Sequence, residues 1–247
     1  MHFKHALLLA TTMLLCACAH GPARNPMAQW VPSPNHDARR PMLVVIHYTE
    51  QDSVARSLNT LRTRNSGGRV SAHYLIGRDG TLYQLVPDER RAWHAGAGSW
   101  GTISDVNSAS IGIELDNDGA SPFPRAQVDA LLRLLDDLTT RHRIPRTQVI
   151  GHADLAPTRK IDPGPLFPWR RLAEAGYGTW PSADAGPAPE GFDPLRALRL
   201  LGYPMDEPAA AIRAYRMRYR GDAATALDAE DARILHGLTA VIPNVAP

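Results

Sequence analysis

Apolar residues fall along this chain in runs of two different periods, and their alternation predicts the architecture. Met42 to Ile46 is a continuous apolar run behind Pro41, the mark of a strand covered on both faces, and it ends at His47. Ser53 to Thr63 carries Val54, Leu58 and Leu61 on one stripe behind a serine at the cap position, which predicts a helix. Val70 to Ile76 and Thr81 to Val86 flank Gly77-Arg78-Asp79-Gly80 and read as a hairpin. Ser110 to Leu115 predicts another buried strand, with Glu114 near its end. Gln127 to His142 is the clearest helix, because Val128, Leu131, Leu132, Leu135 and Leu138 keep the three-and-four spacing of one apolar face. Val149 and Ile150 make a last short strand that leads into His152. Strands alternating with helices in this way predict an α/β domain, a mixed central β-sheet flanked by helices.

The ends of the chain read differently. Lys4 precedes an apolar run from Ala6 to Cys16, too short to span a bilayer but of signal-peptide length. Pro22, Pro26, Pro32 and Pro34 make residues 19–40 an expected extended tether. Beyond Tyr177, the Pro-, Ala- and Gly-rich stretch Pro181 to Pro189 reads as a linker. Asp193-Pro194 and Glu207-Pro208 then each set a proline in a helix's first turn, and a third helix is expected from Asp228 to about Val241. The expected division is 1–18 signal and acylation site, 19–40 tether, 41–178 catalytic domain, 179–190 linker, and 191–247 a small three-helix accessory domain.

Composition narrows the chemistry. A 247-residue chain that is 44% hydrophobic can bury one good core and a second small one. Lys+Arg 27 against Asp+Glu 25 leaves +2, too small a field to indicate a nucleic-acid partner. Both cysteines, Cys16 and Cys18, lie in the first twenty residues, so the remainder offers no thiolate as nucleophile or ligand. Any metal must therefore be held by imidazole and oxygen, which suits zinc, and less exclusively iron or manganese.

The stretch Gly151 to Gly164, GHADLAPTRKIDPG, places His152, Lys160 and Asp162 on one loop that Pro157 and Pro163 keep from being a regular helix. With His47 at a strand's carboxyl edge, two imidazoles and a carboxylate become candidate ligands for Zn2+, with one position open for water. Such a water's pKa falls from about 15.7 to about 7. Two histidines and one carboxylate also suit ferrous iron.

Five blocks then occur in order: IHYTE (Ile46 to Glu50), SAHYLIGRDG (Ser71 to Gly80), AWHAG (Ala92 to Gly96), IGIEL (Ile111 to Leu115) and GHADLAPTRKIDPG. From about Met42 to Tyr177 they resemble the zinc-dependent type-2 N-acetylmuramoyl-L-alanine amidases, relatives of the peptidoglycan-recognition proteins. The resemblance implies metal ligands at His47, His152 and Asp162, a catalytic carboxylate at Glu114 and a catalytic lysine at Lys160. Some relatives carry a tyrosine in place of the glutamate, which makes Tyr74 a secondary candidate. Trp93 and His94 are expected, with Tyr74, along the substrate groove. Because neighbouring strand residues face opposite ways, His73 and Tyr74 cannot both face the site, and His73 is expected to be structural. The implied reaction is hydrolysis of the amide between the lactyl group of N-acetylmuramic acid and L-alanine, in peptidoglycan or muropeptides.

Leu15-Cys16-Ala17-Cys18 resembles a bacterial lipoprotein signal, which implies acylation of Cys18 and a lipid anchor in the outer membrane, facing the periplasm. The stretch Phe192 to Tyr203 resembles part of a peptidoglycan-binding domain. Two other readings compete: a peptidoglycan-binding protein of the same fold without catalysis, and a different metallohydrolase or iron enzyme on a similar sheet.

Overall fold

The computed structural model of the chain describes residues 24–38, 41–65, 68–182 and 184–241. Its first half contains β1 (Gln29–Trp30), β2 (His36–Ala38), β3 (Leu43–Tyr48), α1 (Val54–Arg62), a small hairpin of β4 (Arg64–Asn65) and β5 (Gly68–Arg69), β6 (Tyr74–Ile76), β7 (Leu82–Gln84) and β8 (Arg90–Ala92). Next come α2 (Val106–Ala109), β9 (Ser110–Leu115), α3 (Arg125–Arg141), β10 (Val149–Gly151), α4 (His152–Leu155) and α5 (Trp169–Glu174). Three further helices follow: α6 (Pro194–Leu201), α7 (Pro208–Tyr219) and α8 (Ala229–Ala240).

Six strands pair in the order β1-β7-β6-β9-β3-β10, all neighbours parallel except β6 with β7. This is the mixed sheet the apolar runs predict. Register and alternation then sort side chains between its faces. Val44, Ile46, Ile111, Ile113 and Leu115 lie in one core with Leu131, Leu134, Leu135 and Leu138 of α3. Leu134 takes the buried place on α3 expected for Leu132, which packs at the edge of that core. The opposite face carries Leu43, Val45 and Ile150 in a second core. Continuing that alternation puts His47 and Glu114, direct partners across β3 and β9, on the second face together.

The expected tether is a correction in its described part. Gln29 and Trp30 join the sheet edge beside β7, and β2 pairs with β8. Asn25, Ser33 and Asn35 are buried. Strands of two and three residues among prolines have no period long enough to read, and here tertiary pairing decides. Residues 1–23, including Cys16 and Cys18, lie outside the described residues.

The three C-terminal helices form where expected. Asp193 caps α6 by accepting from the backbone N–H groups of Leu195 and Arg196, ahead of Pro194 at the first turn. Gly202, at φ 115°, ends that helix in the left-handed conformation glycine supplies without a side-chain clash. Leu198, Ile212, Tyr215, Leu235 and Leu238 make a core of their own, joined by Ala153 from α4. The helices are therefore seated on the α/β part. The stretch read as a linker lies against them: Trp180 packs on Tyr219, and Arg233 donates to Ala185 O.

Candidate active site

His47 is the last residue but one of β3, and β10 runs parallel beside it, so the chain leaving β10 enters α4 next to His47 with His152 as its first residue. Asp162 returns to the same place because its carbonyl accepts from Ala153 N. Three side-chain atoms converge there. His47 Nδ1 lies 2.9 Å from His152 Nδ1 and 3.1 Å from Asp162 Oδ2, and His152 Nδ1 lies 3.0 Å from that oxygen. All three residues are buried.

The donor chemistry of this cluster fits a cation. His152 Nε2 donates to the Ala95 carbonyl at 2.8 Å, and a carbonyl only accepts. In its neutral form His152 then has a lone pair, not a proton, on Nδ1. Burial and the neighbouring His152 draw the His47 pKa down to about 4 against the pull of Asp162, so His47 is neutral at pH 7. Burial raises the Asp162 carboxyl, but His152 and His47 outweigh it and hold the group below its ordinary range, hence ionised. A carboxylate and two imidazole nitrogens converge on one point, and with His152 Nε2 donating to a carbonyl their lone pairs make a donor set that fits a metal ion.

A cavity of about 430 Å³ opens over these atoms. Glu114, Lys160 and His94 line it together with Tyr48, Glu50 and Arg159. Burial pushes the Glu114 carboxyl well above its usual range and the charge of Asp162 pushes it further, while the Lys160 ammonium opposes both. Glu114 Oε2 is enclosed without a hydrogen-bond partner, so this carboxyl is aimed at the cavity and not held in an ion pair. Arg159 is occupied elsewhere, donating to the carbonyls of Ala95 and Ala97. It ties the AWHAG segment to the metal-ligand loop and leaves Lys160 as the cavity's cation.

Two expected groove residues are corrections. Tyr74 is fully buried on the α3 face of the sheet, paired in register with Ile113, and its hydroxyl donates to Asp88 at 2.8 Å. It points away from the cavity. Trp93 is half-buried and outside the cavity lining, its backbone N–H donating to Ser71 Oγ. His94 does line the cavity, but it also touches a ligand: its Nδ1 lies 3.0 Å from His47 Nε2. Because Tyr74 turns to the α3 face, His73 takes the opposite one, the reverse of the orientation expected for the pair, and is held there between Gly112 N and Arg90 O. Sequence reading missed the Arg159 strap, although a second cation beside Lys160 was its available signal.

A mixed sheet that delivers two histidines and a carboxylate to one point, beside an enclosed glutamate and a lysine, defines a hydrolase whose buried His-His-Asp group could hold a metal ion. The comparisons agree. A family model described as N-acetylmuramoyl-L-alanine amidase matches residues 37–165, and this chain belongs to that family. The N-acetylmuramoyl-L-alanine amidase AmiD of Escherichia coli (strain K12) is 39% identical over 211 residues, 72% of this chain and 74% of that protein. The E. coli AmiD structure, in complex with anhydro-N-acetylmuramic acid-L-Ala-D-γ-Glu-L-Lys, superposes with a TM-score of 0.73 at 35% identity, covering 82% of this chain and 90% of that one. AmpDh3 from Pseudomonas aeruginosa, in complex with anhydromuramic pentapeptide, superposes with a TM-score of 0.71 at 33% identity, covering 88% and 98%.

Proposed function

We propose that this chain hydrolyses the amide between the lactyl carboxyl of N-acetylmuramic acid and the L-alanine amine of the stem peptide, with zinc held by His47, His152 and Asp162. The observation that carries the reading is the convergence of those three ligand atoms within 3.1 Å beneath a cavity lined by Glu114 and Lys160. When bound, zinc acts as a Lewis acid and lowers the pKa of a coordinated water.

The chain's own residues do the rest. Glu114 takes a proton from the attacking water and passes it to the amide nitrogen as the C–N bond breaks, releasing a lactyl carboxylate and a free L-alanine amine. Lys160 faces the negative charge that develops on the carbonyl oxygen. Tyr48, Thr49 and Glu50 line the same cavity and are available to the substrate. The muropeptide ligands of the AmiD and AmpDh3 complexes support a substrate of this class.

The location belongs to the same proposal. The apolar run ending in Leu15-Cys16-Ala17-Cys18 supports acylation of Cys18 and a lipid anchor in the outer membrane, presenting the enzyme to peptidoglycan in the periplasm. Digesting sacculi and defined muropeptides with and without chelator, and identifying products by mass, tests the reaction. Free stem peptide with an L-alanine amino terminus is the expected product. Cleavage between sugars, or activity indifferent to chelator, would sink the assignment.

A further inference from the structure

His47 carries one proton when neutral, and only the tautomer protonated on Nε2 leaves Nδ1 free to ligate. The neighbours of His47 decide which tautomer forms. Ser110 Oγ donates to the Val106 carbonyl at 2.5 Å, which uses the hydroxyl's single proton on an atom that only accepts. Toward His94 Nε2, 3.2 Å away, Ser110 Oγ is then an acceptor, so neutral His94 carries its proton on Nε2. His94 Nδ1 is left with a lone pair and accepts from His47 Nε2 at 3.0 Å. Two acceptors compete for the proton of His47: Asp162 Oδ2, 3.1 Å from Nδ1, and His94 Nδ1, 3.0 Å from Nε2. With the proton held on Nε2 by His94, Nδ1 faces His152 Nδ1 and Asp162 Oδ2 as a lone pair.

The surroundings hold this relay in place. A Cβ at position 112 would meet His94 Cγ at 2.4 Å, so the glycine of IGIEL is the seat of that imidazole. Asn107 Oδ1 accepts from the backbone N–H groups of both His94 and Ala95, fixing the loop that carries the ring. His94 and Ser110 are buried.

We propose that Ser110, acting through His94, is a positioning device that sets the tautomer of His47 and so creates its metal-ligating atom. This rests on the metal-site reading above. Outer-shell partners of ligating histidines typically contribute 10- to 100-fold in metal affinity. Three full-chain variants test it: Ser110→Ala, His94→Leu, which has no acceptor, and His94→Gln, whose amide oxygen can still accept from His47 Nε2.

Zinc affinity measured by chelator competition is expected to fall roughly 10- to 100-fold in Ser110→Ala and His94→Leu, with His94→Gln losing less than His94→Leu. The visible spectrum of the cobalt(II)-loaded protein reports the same series through the geometry at the metal. Side-chain ¹⁵N NMR of the metal-free parent reads the tautomer without any substitution. The proton of His47 is expected on Nε2, with a mixture of tautomers in Ser110→Ala.

A parent protein with His47 protonated on Nδ1 would overturn the proposal, as would folded Ser110→Ala and His94→Leu binding zinc with parental affinity. Should His94→Leu not fold, Ser110→Ala and the parent spectrum decide. Failure of the parent to bind zinc at all would overturn the metal reading instead, and the tautomer measurement would still stand apart from it.

Discussion

Arg218 Nη1 donates to Asp154 Oδ2 at 2.7 Å, with only 4% and 3% of the two side chains exposed. Arg218 belongs to α7 of the C-terminal helices, and Asp154 lies two residues after His152 on α4. The same carboxylate accepts from Gly151 N and, through Oδ1, from Tyr203 OH, while the guanidinium stacks 4.2 Å over Trp169 and donates to Val149 O. The backbone turn that presents His152 is thus held, through Asp154, by Arg218 of α7 and by Tyr203 just beyond α6.

Breaking a buried ion pair by removing one partner strands the other charge and typically costs about 3–5 kcal/mol. Arg218→Ala is therefore expected to lower the urea midpoint strongly. A chain ending at residue 190 is expected to be less stable than the full chain, because it loses Arg218 and Tyr203 together. Equal stability of the shortened and full chains would show that the two parts fold independently.

The ligand set makes a second prediction. Anything that binds only the folded state stabilises it by mass action, about 2.7 kcal/mol when free ligand is a hundredfold above Kd. Adding zinc to metal-free protein is expected to raise Tm, and chelator to reverse the rise. In Asp162→Ala neither treatment should move Tm, since one of three converging ligand atoms is gone. A zinc-dependent shift in that variant would place the metal elsewhere.

Asp88 supplies a pH dependence far from the site. It is fully buried and accepts from Tyr74 OH, Arg141 Nη1 and His142 Nε2. Burial raises its pKa, but the His142 hydrogen bond and the Arg141 charge prevail and bring it from 3.8 down to about 2. A depressed carboxyl pKa stabilises the fold above the unfolded value and loses that contribution as pH falls through the folded one, here about 2 kcal/mol. Asp88→Asn is expected to be less stable than the parent at pH 7. The gap measured by urea unfolding should narrow between pH 4 and pH 2, and a gap that widens would reverse the sign.

Much of this was legible in the sequence, for a local reason. Met42 to Ile46 and Ser110 to Leu115 announce buried strands because every residue in them except Glu114 is apolar or small. GHADLAPTRKIDPG announces a site because its polar groups share one loop. What stayed hidden depends on register and long-range contact. Tyr74 was expected near the groove, yet pairing with Ile113 turns it to the α3 face. The bond from His94 to His47 spans 47 positions, and that from Arg218 to Asp154 spans 64. No local period encodes contacts of that separation.

Gly112 offers a direct probe of one hidden contact. Gly112→Ala would drive its Cβ to 2.4 Å from His94 Cγ, so the ring must move off His47. Overpacking of this kind typically costs about 1–3 kcal/mol. A modest drop in Tm is expected together with weaker zinc binding, read by calorimetry and chelator competition on one sample. Unchanged zinc affinity despite the lower Tm would detach His94 from the metal site.

Glu114 and Lys160 face one cavity, and their coupling fixes the pH dependence of the reaction. Burial and Asp162 raise the Glu114 pKa well above its usual 4.5, and Lys160 lowers it. Acting as a base requires the ionised form, so kcat/KM is expected to fall as pH drops through a value above the ordinary carboxylate range. Glu114→Gln should bind zinc yet lose roughly 10²- to 10⁴-fold in kcat, the usual contribution of a positioned proton carrier. Lys160→Gln removes the one charge that opposes the shift, so its acid limb should move to higher pH, while kcat falls roughly 10²- to 10³-fold from loss of oxyanion stabilisation. The two effects separate in a pH profile. An acid limb that stays in place when Lys160 is neutralised would mean that the ammonium does not act on Glu114, whatever it does to the oxyanion.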